Sequence, residues 1–130
     1  MNDSEQSEQS EQMSDDHTTP KPQTDPAHFF STDIRVGRIL TVDEFPAARK
    51  PAYKITADFG PAGVLATSAQ VTNYRPEELK DRLVIGVINL GKKRIAGFTS
   101  EFLILGSYDA DGAVHLLSPE PVAVPGDVIG

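Results

Sequence analysis

The sequence predicts a mainly β domain: a small antiparallel barrel, closed or nearly so, with short helices and a C-terminal extension. Three observations carry that expectation. Residues 53–59 alternate strictly between apolar and polar, the period of a strand with one wet face. Residues 83–90 and 102–105 are short Val-, Ile- and Leu-rich runs, which suit strands buried on both faces. Ten glycines and ten prolines over 130 residues punctuate these runs with turns. A chain of this length holds one domain and one core.

Residues 4–12 are Ser-Glu-Gln three times over, and residues 1–28 hold seven acids against Lys21 alone. So polar a segment cannot offset its chain entropy by burial, and 1–28 is expected to be a disordered acidic tail. Residues 29–130 are then the folded domain. The formal charge of the whole chain is -7, but the domain is nearly neutral. The acidity therefore does not exclude a polyanion, whose binding depends on local cations and released counterions.

A helical turn is expected at 28–31. In 34–42 the even positions Ile34, Val36, Leu40 and Val42 are apolar, with Arg38 the exception. Gly37 beside that exception predicts a bulge or bend. The segment 45–51, Phe-Pro-Ala-Ala-Arg-Lys-Pro, reads as a loop carrying Arg49 and Lys50. In the next strand Tyr53, Ile55, Ala57 and Phe59 face the core, while Lys54, Thr56 and Asp58 face water. Gly-Pro-Ala-Gly at 60–63 turns the chain back along 64–68. A helix is predicted over 75–82, with Pro76 in its first turn and Glu77 and Glu78 at the positive end of its dipole. Strands follow at 83–90, 102–108 and 113–117. Between the first two lies a connector that displays Lys92, Lys93, Arg94, Phe98 and Ser100. Five or six short strands with one helix between the third and fourth match the order of the oligonucleotide-binding (OB) barrel.

Catalysis finds little footing. His17, His28 and His115 are too dispersed for a metal cluster or for a nucleophile with its base. Residues 97–100 are Gly-Phe-Thr-Ser, not a hydrolase elbow, and neither a P-loop nor a dinucleotide fingerprint occurs. A non-enzyme with no cofactor and no metal is expected. Without cysteine there is no disulfide and no thiolate site. No basic-then-apolar leader and no span-length apolar run occur, so cytoplasmic localisation without membrane insertion is expected.

The better candidates are cations and aromatics. Arg49, Lys50, Lys54, Lys92, Lys93 and Arg94 sit on loops and a wet face that a barrel would bring together, and each can neutralise a phosphate. Phe45, Tyr74 and Phe98 could stack bases or line an apolar groove for a peptide. The same mix suits single-stranded RNA, and suits the basic signal region of an unfolded preprotein less well, because like charges repel.

Four strings in order, DIRVGRIL, FPAARKPAYKITADFG, TSAQVTNY and NLGKKRIAGFTSEFLILG, resemble the tRNA-binding-domain proteins and most closely the CsaA family of export-related chaperones. The resemblance covers nearly all of 29–130. It implies an OB-fold homodimer without catalytic activity that binds unfolded preproteins or peptides, with export machinery as a further partner and tRNA as the alternative ligand. It also implies an RNA-contacting lysine at Lys50 and a matched serine at Ser100. Ala47 and Leu103 stand where the wider family has asparagine and methionine, which favours the chaperone branch. Leu90, Gly91 and Lys92 replace that branch's usual Phe-Pro-Pro, trading loop rigidity for charge.

Overall fold

The computed structural model describes residues 18–130. Most of the expected acidic tail, residues 1–17, lies outside them. Helix α1 (Pro26–Phe30) begins within the span read as tail. The Asp25 carboxylate caps it by accepting from Ala27 N at 2.9 Å. Pro26 occupies a first-turn position where a missing N–H costs nothing.

Five antiparallel strands form the main sheet: β1 (Ile34–Glu44), β2 (Tyr53–Asp58), β3 (Val64–Ala69), β4 (Leu83–Val87) and, after two short strands, β7 (Leu103–Ile104). Their spatial order is β3-β2-β1-β4-β7. The expected alternation in β2 holds along its whole length, and Phe59 beyond it is fully buried. The two ends of the sheet then meet. Glu101 N donates to Ala66 O at 2.7 Å, the Glu101 carboxylate accepts from Ala66 N at 2.9 Å, and Thr67 Oγ1 donates to Phe102 O at 2.7 Å. These bonds make the sheet a nearly closed barrel and blunt the free edge of β3.

The bend in β1 is not at Gly37. Ile39 pairs with Ala57 and Thr41 with Thr56, so Leu40 is the extra residue. A bulge reverses the parity of inward and outward positions. Val42 is therefore brought onto the face of Ile39 and packs on the same cluster, while Ile34 and Val36, ahead of the bulge, are buried on the opposite face. Gly37 has a different reason. A Cβ there would lie 2.6 Å from the Phe59 ring, and one on Gly86 would lie 2.9 Å from it. Two bare backbones thus make the bed for Phe59, which meets Phe102 edge-on at 4.9 Å. Burying such a side chain contributes about 1.5–3 kcal/mol.

Three other expectations are corrected. The helix expected over 75–82 is only α2 (Pro76–Leu79), although Pro76 and the Glu78 carboxylate, which accepts from Arg75 N at 2.7 Å, start it as anticipated. It stops because β1 captures the chain: Asp81 N donates to Ile39 O and Ile39 N to Arg82 O, each at 2.9 Å, with Asp81 at φ 68. The strand expected over 83–90 ends at Val87. Beyond it Asn89 clamps the approach to β1, accepting from Asp33 N at 2.7 Å and donating to Ser31 O at 2.9 Å. The strand expected over 102–108 divides into β7 and β8 (Gly106–Tyr108), the latter paired with β9 (Val114–Leu116). Leu105 between them is held by Ile85 O and Leu117 N.

The basic connector is itself a hairpin of β5 (Lys93–Ile95) and β6 (Phe98–Ser100). Its turn residues, Ala96 at φ 50 and Gly97 at φ 83, have the left-handed pair of angles that suits the twist of two short strands. The C-terminal segment packs on its own barrel. Gly126 N donates to Val36 O at 2.8 Å, Val36 N to Asp127 O at 2.9 Å and Ile129 N to Ile34 O at 2.8 Å. Ala123 and Ile129 thereby cover Ile34, Val36, Ile85 and Val87, while Val122, Val124 and Val128 remain exposed.

Candidate functional site

The wet face of β2 and the hairpin that folds against β3 define the site. In register, Lys54 lies between Asp43 of β1 and Ser68 of β3. Phe45, just past β1, is buried, and its ring is 5.5 Å from that of Phe98 on β6. The Lys54 ammonium stands over both, 4.9 Å from the Phe45 ring centre and 5.5 Å from that of Phe98. Such a contact contributes about 0.5–1 kcal/mol at a partly exposed site and holds the charge at a fixed place.

Beside this stack an open groove of about 850 Å³ runs between the 45–52 loop, the end of β3 and the β5–β6 turn. Arg49 and Lys50 stand on its wall. Ala48, Ala52, Ile95 and Ala96 supply apolar surface, and Ser68 and Gln70 add two neutral polar side chains. The hairpin that gives Ile95 and Ala96 to the groove also carries Lys93 and Arg94, with Lys92 immediately before it. Arg94 donates to Thr99 Oγ1 across the hairpin at 2.7 Å.

Among the described residues none of Arg49, Lys50, Lys54, Lys92, Lys93 and Arg94 is paired with a carboxylate. Glu101, the acid nearest in sequence to Lys92, Lys93 and Arg94, has its carboxylate engaged by Ala66 N, and Asp43, opposite Lys54 in register, forms no ion pair with it. Cations left unneutralised along one groove are what a polyanion needs, because each replaces counterions on the ligand.

The remaining candidates have other occupations. Ser100 is half-buried, its Oγ 3.0 Å from Thr67 Oγ1. Tyr74 does not line the groove. Its hydroxyl accepts from Leu116 N at 3.0 Å, its carbonyl accepts from Tyr53 OH at 2.8 Å, and Arg82 lies 5.1 Å over its ring. Ser68, Gln70, Ala48 and Ala52 went unread in the sequence. Neutral and small residues carry no signal until a fold gathers them.

Catalytic geometry is not assembled around His115. Its Nε2 meets Asp109 Oδ2 at 2.9 Å, and the hydrogen bond holds the Asp109 carboxyl below its ordinary value, helped by Ala113 N. Ser107 lies opposite His115 in the hairpin, yet its Oγ donates to the His115 main-chain oxygen and not to the ring. Among the described residues no three His, Asp or Glu side chains gather as metal ligands, and no helix is long and apolar enough to cross a membrane.

Comparison with known proteins agrees with this fold. Residues 34–128 match the family model tRNA_bind, a tRNA binding domain. The crystal structure of CsaA chaperone protein from Picrophilus torridus is 44% identical at a TM-score of 0.79, covering 83% of this chain and 100% of that one. That of chaperone CsaA from Bacillus anthracis str. Ames is 37% identical at a TM-score of 0.80, covering 84% of this chain and 100% of that one. Methionine--tRNA ligase of Porphyromonas gingivalis is 34% identical over 101 residues, which are 78% of this chain and 15% of the ligase. The chain thus spans a small part of the ligases it matches and the whole of the matched CsaA chains. With the nearly closed barrel and the match across 34–128, the chain belongs to the tRNA-binding domain family and, within it, to the CsaA proteins.

Proposed function

We propose that this protein is a non-catalytic binder of RNA, with tRNA as the ligand class, and that the groove beside the β5–β6 hairpin is its contact surface. The observation that supports the reading is a groove lined by Arg49 and Lys50, with Lys54 opposite its Ser68 in register and Lys92, Lys93 and Arg94 on or next to the hairpin that gives it Ile95 and Ala96, none of these cations ion-paired among the described residues. Arg49, Lys50, Lys93 and Arg94 take phosphates, and Phe98 under Lys54 offers a partly exposed ring. Titration with total tRNA at several salt concentrations tests it. Lys50→Ala with Arg94→Ala should weaken binding and lower the salt slope by about 1.4–1.8, the share of two phosphate contacts. An unchanged slope rejects the reading.

A second reading, a chaperone of unfolded preproteins in protein secretion, rests on the printed names of the two CsaA structures. Two of its three aromatic contacts, Phe45 and Tyr74, are engaged within the fold. Binding of a denatured, export-competent protein that total tRNA does not displace would favour it. Either reading accommodates a homodimer, with the second copy covering Val122, Val124 and Val128. Light scattering should then exceed the 14.1 kDa of one chain, and a monomer at micromolar concentration removes the dimer.

A further inference from the structure

Gln70 and Ser68 are the least explained residues of the groove. Gln70 follows β3 directly, is exposed, and its side-chain amide makes no hydrogen bond among the described residues. Ser68 lies in β3 opposite Lys54, with its hydroxyl likewise unengaged. Around them Ala48, Ala52, Ile95 and Ala96 offer short apolar walls that approach a ligand closely, and Arg49 and Lys50 stand on the same wall as Ala48. A phosphate clamp alone needs cations and has no use for a neutral amide between apolar walls. An unpaired nucleotide presents what this set complements: a phosphate, a flat apolar face and a base edge with donors and acceptors side by side.

We propose that the groove takes one unpaired nucleotide of an RNA, its phosphate on Arg49 and Lys50 and its base edge read by the Gln70 amide with help from the Ser68 hydroxyl. This rests on the RNA-binding reading above and adds base selectivity to it. An amide carries a donor and an acceptor at fixed spacing, which matches the edge of adenine. The groove therefore prefers adenine. Its volume is within the range of sites that enclose a small ligand.

The test uses the full chain and four homopolymeric ribo-oligonucleotides of equal length, read by fluorescence anisotropy at two salt concentrations. Wild type should bind the adenine polymer roughly five-fold or more tightly than the weakest of the other three. Gln70→Ala should reduce that preference to below about two-fold and leave the salt slope unchanged, since no phosphate contact is lost. Lys50→Ala should do the reverse, weakening all four alike and flattening the slope. The Gln70 side chain is exposed and unbonded, so its loss leaves the melting temperature in place, and a melt of each variant verifies this. Equal binding of all four polymers by wild type overturns the inference while leaving RNA binding standing. A preference that survives Gln70→Ala also overturns it, and no binding to any polymer or to total tRNA overturns the parent reading.

Discussion

Two aromatic and cationic corners of this molecule look alike in sequence and differ in structure. At one, Tyr74 has its hydroxyl, its carbonyl and its ring face taken by Leu116, Tyr53 and Arg82. At the other, Phe98 and Lys54 border a groove whose lysines and arginines lack carboxylate partners among the described residues. The first corner ties the segment before α2 to β9. The second leaves its polar capacity unspent. Composition does not separate a staple from a site, whereas the bookkeeping of hydrogen-bond and charge partners does.

Substitutions should pull these corners apart. Tyr74→Ala has the largest expected effect, about 2–4 kcal/mol of stability, because it opens a gap beside the core and orphans Leu116 N. Chemical denaturation measures that loss, while RNA affinity at a temperature where the variant is folded should stay within two-fold. An affinity loss as large as that of the Lys50 and Arg94 variant would erase the distinction. Tyr74→Phe keeps the ring and removes only the acceptor for Leu116 N, so about 1–2 kcal/mol should go. Ala96→Asn on the groove side should stabilise by about 0.5–1 kcal/mol, since asparagine tolerates the left-handed backbone that Ala96 is made to adopt. Destabilisation would show that the hairpin turn is not the one described.

The smallest effect is a pH dependence in the β8–β9 turn. There Asp109 accepts from Asp111 N at 2.9 Å, Ala113 N at 3.0 Å and His115. Its carboxyl is held below the ordinary value, chiefly by His115. A group depressed on folding contributes stability above its unfolded pKa and loses it as pH falls through the folded one. Amide exchange at Ala113, corrected for intrinsic rates, should show protection that persists down to the ordinary carboxylate range near 3.9 and falls below it. Protection that fades already between pH 7 and 5 would assign control to another group.

Much of this was legible in the sequence, and what was not has physical causes. The alternation of β2 survives because the one irregularity beside it puts its extra residue in β1, so every residue of β2 itself stays paired on both sides. The parity of β1 did not, since one extra residue at Leu40 reverses every later position and nothing in the local pattern announces it. Gly37 was noticed for the wrong reason; the ring it accommodates is Phe59, more than twenty residues later. The helix after Arg75 looked longer because its ending depends on hydrogen bonds from Ile39, which no local propensity contains. Asn89 passed for a member of an apolar run although it clamps the approach to β1. At the groove, cations in clusters drew the eye, while Gln70 and Ser68 acquired meaning only when three separate segments met.

The bond between Gly126 N and Val36 O has a consequence for biosynthesis. The N-terminal half of β1 finds its second neighbour about ninety residues downstream, so during synthesis that edge stays open until residue 126 has left the ribosome. A chain that stops short of residue 126 would expose an unpaired β edge beside Ile34 and Val36, with Ile129 missing and Ala123 not tied down by the Gly126 bond. Limited proteolysis of released, C-terminally truncated chains should therefore show this edge becoming resistant only once residues 126–129 are included.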